Sequence, residues 1–225
     1  MYAKCWKRLL DFLLSLGALI ALSPVLLILT ILGAVKMKGN PFFTQPRPGK
    51  DEKIFKLIKF RSMTCEKDAE GNLLPDAQRL TKYGKFLRST SLDELPELIN
   101  ILTGDMAIVG PRPQLVRDMV FMTPEQRRRH TVRPGLSGLA QVRGRNAISW
   151  EGKLATDLEY IENITFLGDV KIVLQTVVKV LKRSDTVREG TVSDVDFGDW
   201  LLMEGRVDQE TYDGRQAEAR ELLEV

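Results

Sequence analysis

The chain is poor in the residues that build metal centres and covalent frameworks: its 225 residues hold two cysteines, Cys5 and Cys65, and one histidine, His130. The first cysteine lies beside an apolar run and the second in a charged stretch, so they read as reduced thiols in a cytosolic setting. These three side chains leave a structural zinc site almost no ligands. A Ser-His-Asp triad has no route except through His130, which no motif supports. Aromatic residues are 7% of the chain and are not interleaved with basic ones, which disfavours nucleic acid as a partner. The phosphate loop G-x-x-x-x-G-K-[ST], the dinucleotide fingerprint G-x-G-x-x-G, H-E-x-x-H and G-x-S-x-G are all missing. There is no internal repeat, and no second apolar run of about 18 residues that a polytopic enzyme would need.

What is present is one such run. Phe12 to Val35 carries no charged residue over 24 positions. As a helix it covers roughly 36 Å, enough for a hydrocarbon core of about 30 Å. It is too long for a secretory signal and ends in Val35-Lys36-Met37-Lys38 without a small-residue cleavage site, so it reads as retained. Lys4, Lys7 and Arg8 precede it and Lys36 and Lys38 follow, so the positive-inside preference does not choose an end. Ser23-Pro24 sits at its middle, where proline removes a donor and clashes with the preceding turn. The Ser23 hydroxyl can bond a carbonyl in that turn. A kinked spanning helix and a re-entrant helix that breaks and returns both fit these residues.

The net charge of +3 hides an asymmetry: residues 185–225 carry 12 acidic and 4 basic side chains, and the preceding residues 29 basic against 18 acidic. A basic body suits anionic headgroups or a nucleotide, or is simply a solubilising surface. The organisation predicted is a membrane element over 1–39, a cytoplasmic catalytic domain over 40–184 and an acidic tail over 185–225. The class is α/β, mostly helical with a few short strands. Residues 53–60 alternate as a strand, 64–82 form a polar loop, 92–102 a helix and 106–109 a short buried strand. Glycine and proline recur through 110–148, which reads as mostly loop. Ser149-Trp150-Glu151 opens a helix to about Asn163. In 170–183, Val170, Val173, Leu174, Val177, Val178 and Leu181 make one stripe, belonging either to a core helix or to one lying among headgroups. Residues 209–223 suit a short helix on a partner or on the basic body. Asp194-Val195-Asp196 matches a loose D-x-D pattern that so acidic a tail produces by chance.

The chemistry-bearing stretch is Arg88-Ser-Thr-Ser91-Leu-Asp93-Glu94-Leu-Pro96-Glu97. Ser91 as an N-cap with Glu94 three residues on is a capping box, and Asp93 as the cap with Pro96 in the first turn is the other structural reading. The functional reading is that Asp93 and Glu94 hold a divalent cation such as Mg²⁺ beside a phosphate, with Asp93 able to attack phosphorus. Arginine held by Gly110-Pro111-Arg112-Pro113, and cations among the glycines of Arg133-Pro-Gly135-x-x-Gly138 and Gly144-Arg145-Asn146, fit a phosphate-rich ligand.

In order along the chain, Lys7-Arg8-Leu-Leu-Asp11, Ser23-Pro24, Phe43-Thr-Gln45-x-Arg47-x-Gly49, Lys56-x-x-Lys59-Phe-Arg61-Ser-Met63, Arg88-x-x-Ser91-Leu-Asp93-Glu94-Leu-Pro96, Asn100-Ile-Leu-x-Gly104-Asp105-Met106, Gly110-Pro-Arg-Pro113, Arg133-Pro-Gly135-x-x-Gly138 and Gln141-Val-x-Gly144 resemble the bacterial sugar transferase family, the monotopic phosphoglycosyl transferases. The resemblance spans about residues 4–183. It implies transfer of a phospho-sugar from a UDP-sugar to polyprenyl (undecaprenyl) phosphate with release of UMP, as the first step of a membrane glycoconjugate pathway. It implies Asp93 as the nucleophile that carries the phospho-sugar and Glu94 as its aid through Mg²⁺ or proton handling, both being metal ligands. Lys59 and Arg88 are implied at phosphates and Arg112 at the nucleotide, with Arg145 and Asp157 as further binding residues. It implies a re-entrant membrane helix broken at Ser23-Pro24, interface helices, the cytoplasmic face of a bacterial inner membrane, and loop 64–82 as a lid. Gly144-Arg-Asn-Ala-Ile-Ser-Trp-Glu151 resembles members acting on N-acetylated amino sugars, including diacetylbacillosamine. An oligomer is compatible with all of this. A membrane-anchored binding module with a basic surface is the competing class, and it has no need of paired acids.

Overall fold

The structure, a computed structural model, describes residues 2–144, 148–182 and 195–224. A π-helical turn, Tyr2–Trp6, leads into α1 (Lys7–Lys36). Helical bonding runs on through Ser23-Pro24, where a break is expected, so Pro24 stands inside a single helix. Pro24 has no N–H to give the Ile20 carbonyl four residues back, and the Ser23 hydroxyl donates to that carbonyl at 2.8 Å. The orphaned acceptor is thereby satisfied and the helix continues.

Asp11, Ser15, Leu29 and Gly33 are the buried residues of α1, at spacings that put them on one face. That face is tied to the rest of the chain at both ends. Arg8 donates to the Ile101 and Leu102 carbonyls at 2.5 and 2.9 Å, and Asp11 accepts from the Ile108 N–H at 3.1 Å. Near the other end the Tyr83 hydroxyl donates to the Leu29 carbonyl at 3.0 Å. A Cβ on Gly33 would stand 2.9 Å from the Pro41 side chain, so only glycine allows that approach. The opposite face, with Leu13, Leu14, Ile20, Leu27, Ile28 and Ile31, is exposed and apolar.

β1 (Phe42–Pro48) and β2 (Ile54–Phe60) form an antiparallel hairpin with Phe42 opposite Phe60. α2 (Asp76–Arg79) interrupts the polar loop, and α3 (Lys82–Ser89) starts at Thr81, whose hydroxyl accepts the Gly84 N–H. A 3-10 turn, Leu92–Glu94, precedes α4 (Glu97–Thr103). β3 (Ala107–Val109) pairs in parallel with β4 (Gly135–Ser137). Between them lie α5 (Val116–Met119), α6 (Pro124–Arg127) and a 3-10 turn, Arg128–Thr131. Then follow α7 (Leu139–Arg143), α8 (Trp150–Glu162), capped by Ser149, and α9 (Phe166–Lys182). α10 (Phe197–Met203) and α11 (Gln209–Glu224) complete the described chain. The region expected to be mostly loop, 110–148, thus holds three short helices and a strand, each too brief to show a hydrophobic period.

The central core joins β2, α4 and α1: Leu57, Leu98, Ile101 and Met106 are buried with Ala18, Leu19 and Leu22 against them. The stripe on α9 resolves differently. Ile172 is buried and Val173 packs on the core, while Leu174, Val177, Val178 and Leu181 are exposed, Leu181 at 78%. Most of the stripe is therefore an exposed apolar face rather than a core one. The tail docks on the body: Phe197 and Leu201 pack with Met122, Trp150 and Leu154, and Ala219 with Val116, Met119 and Val120.

Candidate active site

α3 ends at Ser89, and the chain turns through Ser91 at φ 54, ψ 19, the left-handed region that a side chain populates only with strain. Ser91 makes no cap hydrogen bond, and Pro96 occupies the N-cap of α4, so neither capping reading of Ser91 or Asp93 holds. The turn instead presents Asp93 and Glu94 to a cavity of about 780 Å³, within the range of nucleotide-sized ligand sites. Lys59 from β2, Arg88 from α3 and Arg112 from the Pro-Arg-Pro segment line the same cavity, as do Thr64, Cys65 and Leu73 of the polar loop.

Glu94 is the hub of the charges. Its Oε1 accepts from Lys59 Nζ at 2.9 Å and from Arg112 Nη2 at 2.8 Å. Lys59 also pairs with Glu97 Oε1 at 3.1 Å. Burial pushes Glu94 up, but the Arg112 guanidinium and Lys59 ammonium outweigh it and hold the carboxylate well below its usual range. Glu97 has less help: burial dominates and raises it to about 7. Asp93 is raised by burial and by the charge on Glu94, against the pull of Lys59, Arg88 and Arg112. No hydrogen bond to Asp93 is found among the described residues, in contrast to its neighbour.

Arg88 Nε donates to Ser62 Oγ at 3.0 Å, which aims its guanidinium from α3 across the hairpin. Asp157 lines the cavity, yet its Oδ2 accepts from Arg129 Nε and Nη2 at 2.9 and 2.7 Å. Arg129 is 1% exposed and also donates to the Arg112 carbonyl at 2.6 Å. Asp157 therefore supports the Arg112 backbone through Arg129. Arg145 lies outside the described residues. Ser23 and Pro24 are away from the cavity, on α1. Arg133 does not line the cavity and donates to the Gly104 carbonyl at 2.7 Å. The glycines of its motif serve close packing, since a Cβ on Gly135 would stand 2.0 Å from the Gly110 nitrogen.

Sequence reasoning assigned no role to Arg47, Glu97 or Arg129. Arg47 lines the cavity and gives Nη2 to Gln45 Oε1 at 2.7 Å, while its buried Nε has no partner among the described residues. Burial lowers it to about 10. Its position in the Gln45-x-Arg47 pair on the alternating strand was the available signal.

A Mg²⁺ ion fits this donor set in a limited way. Both cationic contacts of Glu94 go to Oε1, leaving Oε2 and the Asp93 carboxylate as hard oxygens. Among the described residues no three acidic, histidine or cysteine side chains cluster as a cage, so the remaining ligands would be water and substrate phosphate.

A second cavity of about 260 Å³ borders the same turn, sharing Ser91, Glu94 and Gln141 with the first. Its wall is largely apolar, from Leu92, Leu95, Leu136 and Val142, and includes Lys179 of α9.

Two adjacent carboxylates, one held by Lys59 and Arg112, thus stand where a polar cavity and an apolar one meet, in a chain with exposed apolar helix faces. The chain belongs to the bacterial sugar transferase family, whose model matches residues 2–183. It is 48% identical over 175 residues to "Uncharacterized sugar transferase EpsL" of Bacillus subtilis (strain 168), covering 78% of this chain and 87% of that protein. It is 37% identical to "Exopolysaccharide production protein PSS" of Rhizobium leguminosarum bv. phaseoli, over 79% of this chain and 96% of that one. It is 39% identical to the "UDP-glucose:undecaprenyl-phosphate glucose-1-phosphate transferase" of Escherichia coli (strain K12), over 77% of this chain and 39% of that one.

Proposed function

We propose that the protein transfers a phospho-sugar from a UDP-sugar to polyprenyl phosphate in two steps through Asp93. The observation that carries this is the inequality of the two adjacent acids. Glu94 is engaged by Lys59 and Arg112, whereas Asp93 faces the cavity with no hydrogen bond among the described residues. A half-buried carboxylate beside cations and spared from bonding keeps its lone pairs for phosphorus.

In the first step an Asp93 oxygen attacks the sugar-linked phosphorus, the bond to the bridging oxygen breaks, and UMP leaves. In the second an oxygen of the lipid phosphate attacks the same phosphorus and Asp93 is released. Lys59, Arg88, Arg112 and the unsatisfied Nε of Arg47 supply fixed positive charge where the phosphoryl oxygens sit. Mg²⁺, when bound by Asp93, Glu94 Oε2 and the diphosphate, would neutralise charge on the donor. The apolar second cavity suits the first prenyl units of the acceptor, bringing its phosphate to the same turn.

Both ends of α1 are assigned to the cytoplasmic face of the inner membrane, the re-entrant arrangement. A helix that crosses the bilayer leaves its domain after the first turns, but α1 is bonded to the catalytic body at Arg8 and again at Leu29. Cysteine labelling at Tyr2 and Lys38, in a background lacking Cys5 and Cys65, tests this: access at either site from the periplasm sinks it. For the sugar, the resemblance of residues 144–151 favours an N-acetylated amino sugar, while the relatives that name a sugar name glucose or galactose. A UDP-sugar panel scored by UMP release with polyprenyl phosphate present discriminates these. The central reading is tested with UDP-sugar alone and intact-mass measurement, where a phospho-sugar adduct is expected. Persistence of the adduct in Asp93→Asn overturns the assignment.

A further inference from the structure

The family model ends at residue 183, yet the chain beyond it reaches the donor cavity. Asp196 lines that cavity together with Trp150, Lys153 and Asp157, which share one face of α8. The segment is fixed there by several independent contacts. The Phe197 N–H donates to buried Asp118 Oδ1 at 2.8 Å, and the Trp150 indole N–H donates to the Val195 carbonyl at 2.9 Å. The Phe197 ring lies 5.2 Å from Trp150, and Gly198 fits so closely under Phe121 that a Cβ would stand 2.4 Å from its ring. Arg117 Nη2 binds both Asp196 and Asp199 at 2.8 Å.

We propose that residues 195–203 form a donor-selecting wall, in which Asp196 accepts a hydrogen bond from the uncharged part of the UDP-sugar and α10 holds Trp150 behind it. This rests on the function proposed above. The charge map supports it. Cations gather around Asp93 and Glu94, where a diphosphate belongs, and a carboxylate at the other wall repels phosphate but accepts from a sugar hydroxyl, an acetamido N–H or the uracil imide. The other acids on this wall are already engaged, Asp118 by the Leu115 and Phe197 amides and Asp157 by Arg129, which leaves Asp196 as the acceptor.

The test compares Asp196→Ala with Asp199→Asn in the full-length protein. Both remove a partner of Arg117, but Asp199 does not line the cavity. A lost hydrogen bond to a charged acceptor corresponds to about a tenfold or larger rise in KM for the UDP-sugar. Asp196→Ala should show that rise with kcat within about twofold, and Asp199→Asn should leave KM unchanged. Inhibition by UMP separates the two sources: a parallel rise in its Ki assigns the contact to uracil, and an unchanged Ki assigns it to the sugar. Equal KM in wild type and Asp196→Ala, or equal effects of the two variants, overturns the proposal. UMP release by the wild-type protein in the same assay checks the underlying function separately.

Discussion

The Arg129 guanidinium, buried beneath the active site, donates to the backbone carbonyl of Arg112 at 2.6 Å. Arg112 in turn grips Glu94 at 2.8 Å, so a chain of contacts runs from Asp157 through Arg129 and Arg112 to the acidic turn. The rigid Pro-Arg-Pro frame is held from below, and the part of Asp157 is to neutralise the charge that holds it.

Asp157→Asn should accordingly lower stability. Removing one partner of a buried ion pair leaves the other uncompensated, at about 3–5 kcal/mol. For a chain of this size that is on the order of 10 °C in thermal midpoint. Thermal unfolding measures it. An unchanged midpoint with a raised KM for the donor would mean instead that Asp157 binds substrate.

Glu97 gives a pH signature. Its folded pKa is raised from 4.5 to about 7 by burial. The folded state holds this proton more tightly than the unfolded chain, so its contribution is full below about pH 4.5 and is lost as pH climbs through 7. His130 slopes the other way: burial first, then Arg129, lowers it to about 3, so its contribution grows between pH 3 and 6.5. The unfolding free energy of wild type relative to Glu97→Gln isolates the first effect. That difference should fall by roughly 3 kcal/mol between pH 4.5 and 7 and then level off. A flat difference places Glu97 in an ordinary environment.

How far these features were legible in the sequence depends on their reach along the chain. The strand at residues 54–60 showed itself because Phe55, Leu57 and Phe60 are its inward residues. Asp93, Glu94, Lys59, Arg88 and Arg112 were legible as motif residues, and the structure gathers all five in one cavity. Arg129 was not, because its meaning comes from Asp157, 28 residues away, and from a carbonyl that no side-chain pattern reports. The packing role of the glycines in the Arg133 motif was hidden for the same reason: Gly135 is needed by its contact with Gly110, a tertiary fact. At Pro24 the lost donor was legible, and so was the Ser23 hydroxyl that satisfies the Ile20 carbonyl in its place.

Ser91 carries the backbone strain of the site, at φ 54 between α3 and the acidic turn. Glycine adopts that conformation without the roughly 1–2 kcal/mol that a Cβ incurs. Ser91→Gly should therefore be neutral or raise stability by up to about 1 kcal/mol, whereas Ser91→Val should lose at least as much. Chemical denaturation checks both. If Ser91→Gly is strongly destabilising, the hydroxyl makes a contact that outweighs the strain.

The exposed stripe of α9 leads to a separable prediction. Leu174 and Leu181 are 61% and 78% exposed, with Lys179 and Lys182 on the same helix. Burying each leucine among acyl chains contributes about 1.5–3 kcal/mol, and anionic headgroups add about 1 kcal/mol per lysine. Leu174→Glu with Leu181→Glu should weaken partition into anionic vesicles at least tenfold. Formation of the phospho-sugar adduct with a soluble UDP-sugar should be unaffected, since neither leucine lines the donor cavity. Transfer to a membrane-embedded acceptor should fall. Vesicle sedimentation and the two half-reactions, measured side by side, separate these outcomes. Equal loss in both half-reactions would show that the stripe supports the fold of the site rather than its seating at the bilayer.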